Sequence, residues 1–113
     1  MSTWKTVQEL AAALPDTKEE RWYGTPAFKV GGKGFVRQKE RMDNVIAFPS
    51  EEREILLASE PDKFFITPHY DRDDSLWLLG RLGKIPKAEL REILTDAWRL
   101  CAPPKVLAKH PDL

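Results

Sequence analysis

The chain has 113 residues, which corresponds to a single domain spanning residues 1–113. Its 18 Lys and Arg residues are balanced by 18 Asp and Glu residues, so the overall charge attracts no polyanion and disfavours a strong, non-specific nucleic-acid binder. No apolar run approaches the roughly 20 residues that span a bilayer, and no signal peptide is recognisable. The single cysteine excludes an internal disulfide. We therefore expect the protein to lie in the reducing cytoplasm, and we expect it to be a monomer.

An amphipathic helix is predicted near the start of the chain. Apolar residues recur at helical spacing over residues 4–14, Ser2 or Thr3 can cap the first turn, and Pro15 ends the pattern. A second capping motif within this range would let the helix begin one turn later. The charged residues 16–21 that follow are interpreted as a connection to the next element.

The pattern then changes to the alternation that is typical of strands. Strands are predicted over residues 27–30 and 34–38, and the Gly31-Gly32 pair between them predicts a tight antiparallel hairpin because glycine accepts a positive φ. A third strand is predicted over residues 44–48, after a polar turn.

A short helix and two further strands follow. Ser50 caps a helix over residues 51–60, whose acidic first turn suits the positive end of the helix dipole, and Pro61 ends it. Residues 64–67 and 75–82 are predicted to be strands, separated by a connection rich in turn-forming residues.

A helix close to the end of the chain organises the predicted fold. It begins at Pro86, which suits the first helical position, and Pro103 ends it. Its apolar stripe is formed by Leu90, Ile93, Leu94, Ala97, Trp98 and Cys101. Because such a stripe must be buried, the sequence predicts a two-layer α+β domain, with an antiparallel sheet of about five strands and helices packed on one face. The residues after this helix are expected to add one helical turn.

The charge is unevenly distributed along the chain. Residues 21–41 contain six basic residues against one acidic residue, and residues 42–62 reverse this balance. On a hairpin, Lys29, Arg37 and Lys39 alternate with apolar residues, so they are expected to share the solvent face and form a cationic stripe that contacts phosphates. The alternative is that these cations keep an exposed sheet face or edge soluble and unpaired.

The sequence contains no convincing catalytic or metal-binding constellation. His69 precedes Asp71, Asp73 and Asp74, but this spacing matches no metal motif, and aspartates between strands are usually turn formers. Cys101 lies in the phase of the apolar helix face, so it is expected to be a core residue and not a nucleophile. We therefore expect no enzyme activity, no metal and no cofactor.

Aromatic residues suggest another kind of site. In alternating strands such residues usually pack into the core, but Tyr23, Tyr70 and Trp77, together with His69, are candidates for the lining of a ligand-binding face. Trp22 and Tyr23 are adjacent, so in an extended strand their side chains would point to opposite faces. Whichever points away from the core is the better candidate for ligand contact.

Five blocks of the sequence resemble the MmcQ/YjbR family. They are TWKTVQELAAALP, WYGTPAFKVGGKGFVR, PSEEREILL, FFITPHY followed by LWLLGRL, and AELREILTDAWRLCAPPK, and together they cover nearly the whole chain. The resemblance implies a CyaY-like (frataxin-like) fold and DNA binding through a "double wing" of β-hairpins, with no established reaction or cofactor. The family pattern often places a basic residue directly after Ala-Pro, whereas Pro104 intervenes here, which would shift the last helical turn.

These observations lead to two functional hypotheses. The first is a DNA-binding protein that contacts phosphate through basic hairpins, and the resemblance implies one wing over residues 29–37 and a second within residues 69–82. Its candidate contacts are Lys29, Lys33, Arg37, Lys39, Arg41, Arg72 and Arg81. The second is a module that binds a small ligand or a protein partner on the exposed sheet face around Tyr23, Tyr70 and Trp77.

Overall fold

The computed structural model describes residues 2–72 and 74–113, and within them six strands form one sheet. The strands are β1 Thr17–Trp22, β2 Thr25–Val30, β3 Lys33–Gln38, β4 Val45–Pro49, β5 Phe64–Phe65 and β6 Trp77–Arg81. Their order is β1-β2-β3-β4-β6-β5, and each neighbouring pair is antiparallel. The helices are α1 Trp4–Ala12, α2 Arg53–Ser59, α3 Lys87–Cys101 and α4 Pro104–Lys109, and short 3₁₀ turns cover Pro68–Tyr70 and Leu82–Lys84. The predicted α+β class is confirmed.

The helices pack on one face of the sheet and enclose the main core with it. Within α3, Leu94 and Trp98 are almost fully buried, and the Trp98 indole N–H donates to the Pro15 carbonyl at 2.9 Å. α3 begins at Lys87, one residue later than predicted, so Pro86 occupies the N-cap position and not the first helical position. Pro103 occupies the N-cap position of α4. None of the helices in the described parts of the chain is long and apolar enough to cross a membrane.

The interpretation of residues 16–21 as a connection is wrong, because β1 occupies most of that segment. β1 lies at the edge of the sheet and pairs with β2, from Thr17 opposite Val30 to Trp22 opposite Thr25. Charged side chains on an edge strand discourage pairing with other chains, so this strand lacks the apolar alternation on which the prediction relied. The described sheet therefore has six strands instead of about five.

The remaining elements are close to their predictions. β2 and β3 pair through the predicted Gly31-Gly32 turn, where the two glycines have φ values of 58° and 83°. The strand predicted over residues 64–67 is shorter and covers Phe64–Phe65, whereas the one predicted over residues 75–82 forms β6. α4 extends the expected final helical turn to six residues.

The other face of the sheet is covered by no helix among the described residues, and we call it the helix-free face. Side chains alternate along each strand, so Val45, Ala47 and Leu79 point to this face, where Tyr70 packs on them. This small second cluster places the first 3₁₀ turn over the helix-free face.

Candidate functional site

A cavity of about 470 Å³ opens on the helix-free face. We call it the aromatic cavity, and its lining consists of Trp22, Tyr23, Arg37, Glu40, His69, Tyr70, Arg72, Ser75 and Trp77. The four residues predicted for a ligand-binding face, Tyr23, His69, Tyr70 and Trp77, are all part of this lining. The β1–β2 turn, the first 3₁₀ turn and the start of β6 bring them together from distant parts of the chain.

The turn between β1 and β2 places two aromatic rings side by side at the cavity. Tyr23 and Gly24 are its central residues, with φ values of 56° and 79°, which match a type I′ hairpin turn. The strand ends at Trp22, so the alternation expected for an extended Trp22-Tyr23 pair does not occur, and the two ring centroids are 5.4 Å apart. A positive φ is uncommon outside glycine, so the turn holds the exposed Tyr23 ring at a conformational cost.

The Trp22 ring lies across the sheet because Gly34 on β3 has no side chain. A Cβ atom at Gly34 would come within 2.3 Å of the Trp22 ring, so the indole can rest there only above a glycine. The same ring makes an edge contact with Trp77 of β6, with centroids 5.5 Å apart and an interplanar angle of 72°. Trp22, Tyr23 and Trp77 thus form one aromatic wall of the cavity.

Arg37 provides a buried charge in the cavity and is only 6% exposed. Its guanidinium donates to the Glu40 carboxylate at 2.5 Å and to the Tyr70 hydroxyl at 2.8 Å, and it lies 5.3 Å from the centroid of the Tyr23 ring. The prediction that Arg37 lies on the solvent face of a cationic stripe is therefore wrong. Its strand does direct it to the helix-free face, but the chain carrying Tyr70 covers that part of the sheet.

Two cations share one carboxylate beside the cavity. The Lys39 ammonium donates to the second Glu40 oxygen at 2.5 Å, and the hydrogen bonds from Lys39 and Arg37 lower the pKa of the Glu40 carboxyl to about 2. Glu40 is therefore ionised at neutral pH, and the three side chains together carry a net positive charge. Among the described residues, no second carboxylate lies within 4.0 Å of either cation.

Arg53, the first residue of α2, holds Tyr70 and Trp77 in the lining of the cavity and is only 4% exposed. Its guanidinium donates to the carbonyl oxygens of Tyr70 at 2.7 Å, Trp77 at 2.9 Å and Arg72 at 3.4 Å. A cation at a helix N-terminus is unfavourable in the field of the helix dipole, so these long-range hydrogen bonds explain its position. The sequence analysis did not identify this role. The feature of the sequence that indicates it is a single basic residue in an otherwise acidic helix start.

His69 and Arg72 lie at the exposed rim of the cavity. The His69 ring packs edge-on against Tyr70, with centroids 5.2 Å apart. The Arg72 Nε is 3.6 Å from the Asp74 carboxylate, and both side chains are exposed, so this ion pair contributes little. Residues 2–72 and 74–113 contain no group of three His, Cys, Asp or Glu side chains that could hold a metal, and the candidate Asp73 lies outside those residues.

The other predicted cationic residues are spread over the molecule. Lys29 shares the helix-free face with Arg37, but it pairs with a glutamate of β1 at 3.5 Å. Lys33 is exposed at the start of β3, and Arg41 is exposed in the turn before β4. Arg81 packs over a phenylalanine ring of β5, 4.0 Å from its centroid. The single cationic stripe that alternation predicts is therefore not formed.

Cys101 faces the core, as its helical phase predicts. It is 7% exposed, and its thiol donates to the Gly34 carbonyl at a sulfur–oxygen distance of 3.6 Å. Burial raises the pKa of the Cys101 thiol, which disfavours the thiolate that a nucleophile requires. The residue therefore contributes to packing behind the sheet.

The chain matches the family model described as YjbR over residues 12–100. Uncharacterised proteins of Mycobacterium tuberculosis and Mycobacterium bovis are 29% identical to it over 126 aligned positions, covering 95% of this chain and 94% of theirs. The crystal structure of the Deinococcus radiodurans protein DR2400, with the domain DUF419, has a similar fold, with a TM-score of 0.76, 20% identity, and coverage of 96% of this chain and 88% of that one. The resemblance seen in the sequence blocks is thus confirmed, and the protein belongs to the YjbR family.

Proposed function

We propose that this protein is a binding module that takes a small ligand with a planar ring into the aromatic cavity. The observation that carries the proposal is the wall of Trp22, Tyr23 and Trp77 beside the buried Arg37. Small-molecule sites are usually concave, have volumes of about 300–1,000 Å³, and combine apolar walls with a few fixed polar groups. This cavity, at about 470 Å³, meets each of these conditions.

The cavity suits a planar ring because it offers both stacking surfaces and fixed donors. Aromatic side chains contact other rings in offset or edge geometry, and the Tyr23 ring is 75% exposed and therefore accessible. The Tyr70 hydroxyl accepts from Arg37, so its own proton is directed elsewhere and can serve a ligand oxygen. An apolar ring thus meets the wall, and its polar substituents meet hydrogen-bond donors whose positions are already fixed.

Replacing the exposed ring tests this site without disturbing the core. Tyr23→Asn creates the Asn-Gly pair that type I′ turns favour, so the fold is retained while one stacking surface is lost. We expect the variant to bind planar aromatic fragments about 10-fold more weakly, since one stacking contact is worth roughly 1–3 kcal/mol. Binding is measured by NMR titration of a library of such fragments, following the indole signals of Trp22 and Trp77.

The matched control is Ile55→Asn on α2, because Ile55 is also an exposed apolar residue but does not line the cavity. This variant should bind the fragments as tightly as the unmodified chain. The proposal fails if no fragment shifts the indole signals, or if the Tyr23→Asn and Ile55→Asn variants lose affinity equally.

Phosphate contact with DNA is our second proposal, and it rests on a different observation. Lys33, Arg41 and Arg72 are exposed cations, and the family resemblance implies DNA binding through hairpins. The burial of Arg37 and the pairing of Lys29 with a carboxylate leave fewer cations for phosphate than the sequence suggests. The aromatic cavity therefore has the stronger geometric support, and DNA binding measured across a salt series separates the two proposals.

The proposal includes a cytoplasmic location and a monomeric state. The free thiol of Cys101 suits a reducing compartment, and the charged edge strand β1 discourages pairing between copies of the chain. Cell fractionation and sedimentation of the purified protein measure these two properties. Recovery in a membrane or secreted fraction, or a dimer at micromolar concentration, would contradict them.

A further inference from the structure

A second cavity adjoins the aromatic cavity. It has a volume of about 370 Å³ and shares Arg72, Ser75 and Trp77 with the first. Its lining also includes Lys33 at the start of β3 and Pro49 at the end of β4. Because neighbouring strands run in opposite directions, these positions and the start of β6 meet at one end of the sheet. The two cavities therefore form one depression that runs from the helix-free face to that end.

The two parts of this depression differ in chemical character. Aromatic rings dominate the first part, whereas the exposed Lys33 and Asp74 line the second, and Arg72 lines both. Arg72 pairs with Asp74 at 3.6 Å, and both side chains are largely exposed, so a ligand can compete for the guanidinium. Lys33 makes no ion pair with any carboxylate of the described residues. Two cations are thus available beyond the aromatic wall.

We infer that the ligand of this site is an anion, with a planar ring in the aromatic cavity and a carboxylate or phosphate that reaches Arg72 and Lys33. This inference rests on the proposed function, since it names the chemical class of ligand that the same site takes. The net positive charge of Arg37, Lys39 and Glu40 adds a field of the same sign. Hydrogen bonds between charged partners are stronger than neutral ones, so an ionised acceptor gains most from these donors.

A cationic ligand is the competing possibility, because Trp and Tyr rings attract cations to their faces. At this site the protein already supplies those cations. The Arg37 guanidinium lies 5.3 Å from the Tyr23 centroid, and the Lys39 ammonium lies 5.8 Å from the Tyr70 centroid. Arg37, Lys39 and the Glu40 carboxylate that they share carry a net positive charge, so a ligand cation would meet a net like charge, whereas an anion meets a net opposite one.

Three probes that share one ring but differ in charge test the inference. Naphthylacetate is compared with its neutral isostere naphthylacetamide and with the cation naphthylethylamine, by NMR titration of the full chain at low salt. The acid is expected to bind about 10-fold more tightly than the amide, the factor that one charge-assisted contact supplies, and the amine should bind most weakly.

Substitutions at exposed positions locate the anion. Arg72→Gln and Lys33→Gln should each reduce the preference for the acid over the amide. The matched control is Arg41→Gln, because Arg41 is also exposed but lines neither cavity. The Arg41→Gln variant should prefer the acid over the amide by the same factor as the unmodified chain.

The outcomes distinguish this inference from the proposed function. If the amide binds as tightly as the acid, or the amine binds more tightly, the cavity takes a planar ring but the assignment of an anion is wrong. The assignment is also wrong if the preference for the acid is unchanged in both Arg72→Gln and Lys33→Gln. If none of the three probes binds, the proposed function itself fails.

Discussion

The position of the aromatic wall depends on a single missing side chain, that of Gly34. Glycine weakens the interior of a strand because it has no side chain to pack, so its presence in β3 needs a reason. The reason is steric, since the Trp22 ring occupies the volume that a Cβ atom would fill. No spacing rule in the sequence connects these two residues, and their contact becomes visible only when β1 and β3 are placed on either side of β2.

Gly34→Ala is expected to displace the Trp22 ring and open the wall. Because Trp22 is only half-buried, the ring can swing towards solvent, so the free energy of unfolding should fall by only about 1 kcal/mol. The affinity for planar probes should fall about 10-fold, which one lost ring contact accounts for. Urea unfolding measures the first effect and NMR titration measures the second.

A double-mutant cycle shows whether the ring is the cause. In a Trp22→Leu background the Gly34→Ala substitution should cost much less stability, because the atoms that the new methyl group would meet are absent. An equal cost in both backgrounds would mean that Gly34 is required for some other reason.

The regular elements follow from local periodicity, whereas the irregular wall of the cavity does not. α3 is predictable from its apolar stripe, and the β2–β3 hairpin from its paired glycines. β1 is not, because a charged edge strand lacks the apolar alternation that marks a strand. Tyr70 and Trp77 belong to no common periodic segment, and their carbonyl oxygens accept hydrogen bonds from Arg53, which lies 17 and 24 residues away from them in sequence. The ligand-face residues were therefore identifiable by residue type, but the role of Arg53 in positioning two of them was not.

Arg53→Met is expected to loosen the side of the cavity that Tyr70 and Trp77 form. The substitution removes the Arg53 donor from three carbonyl groups, of which those of Tyr70 and Arg72 each keep one backbone N–H donor, and a hydrogen bond from a charged group contributes roughly 1.5–3 kcal/mol. We expect the free energy of unfolding to fall by about 3 kcal/mol in urea denaturation, and hydrogen exchange of the Ser75 and Trp77 amides to become faster. Arg99→Met on the exposed side of α3 is the control and should change stability by less than about 0.5 kcal/mol. If Arg53→Met and Arg99→Met lowered the free energy of unfolding equally, Arg53 would not be what holds Tyr70 and Trp77 in place.

The whole molecule is neutral, and exposed cations lie on both of its sides. Exposed Arg91 and Arg99 lie beside acidic side chains of α3 on the helix side, whereas exposed Lys33 and Arg72 line the depression that starts on the helix-free face. The basic excess in residues 21–41 predicts cations around the β2–β3 hairpin, but it does not show which charges are already paired. Lys29 is matched by Glu20 and Arg37 by Glu40, because strand pairing and a tight turn bring them together. A count of charges along the sequence therefore overstates the cationic surface that the fold presents.

The remaining exposed cations determine whether DNA is a partner of this protein. We consider the case in which Lys33, Arg41 and Arg72 each contact a phosphate. Each contact releases counterions, so the logarithm of the binding constant falls with the logarithm of the salt concentration with a slope of about −0.9 per contact. Three contacts give a slope of about −3. Fluorescence anisotropy with duplex DNA across a salt series measures this slope. Lys33→Glu combined with Arg41→Glu should abolish binding, whereas Lys5→Glu combined with Lys109→Glu makes the same change in net charge on exposed helical positions and should not. Equal losses of affinity in the two double variants would mean that the interaction depends only on overall charge. No binding at low salt would mean that DNA is not a partner, and only the proposal of a ligand in the aromatic cavity would remain.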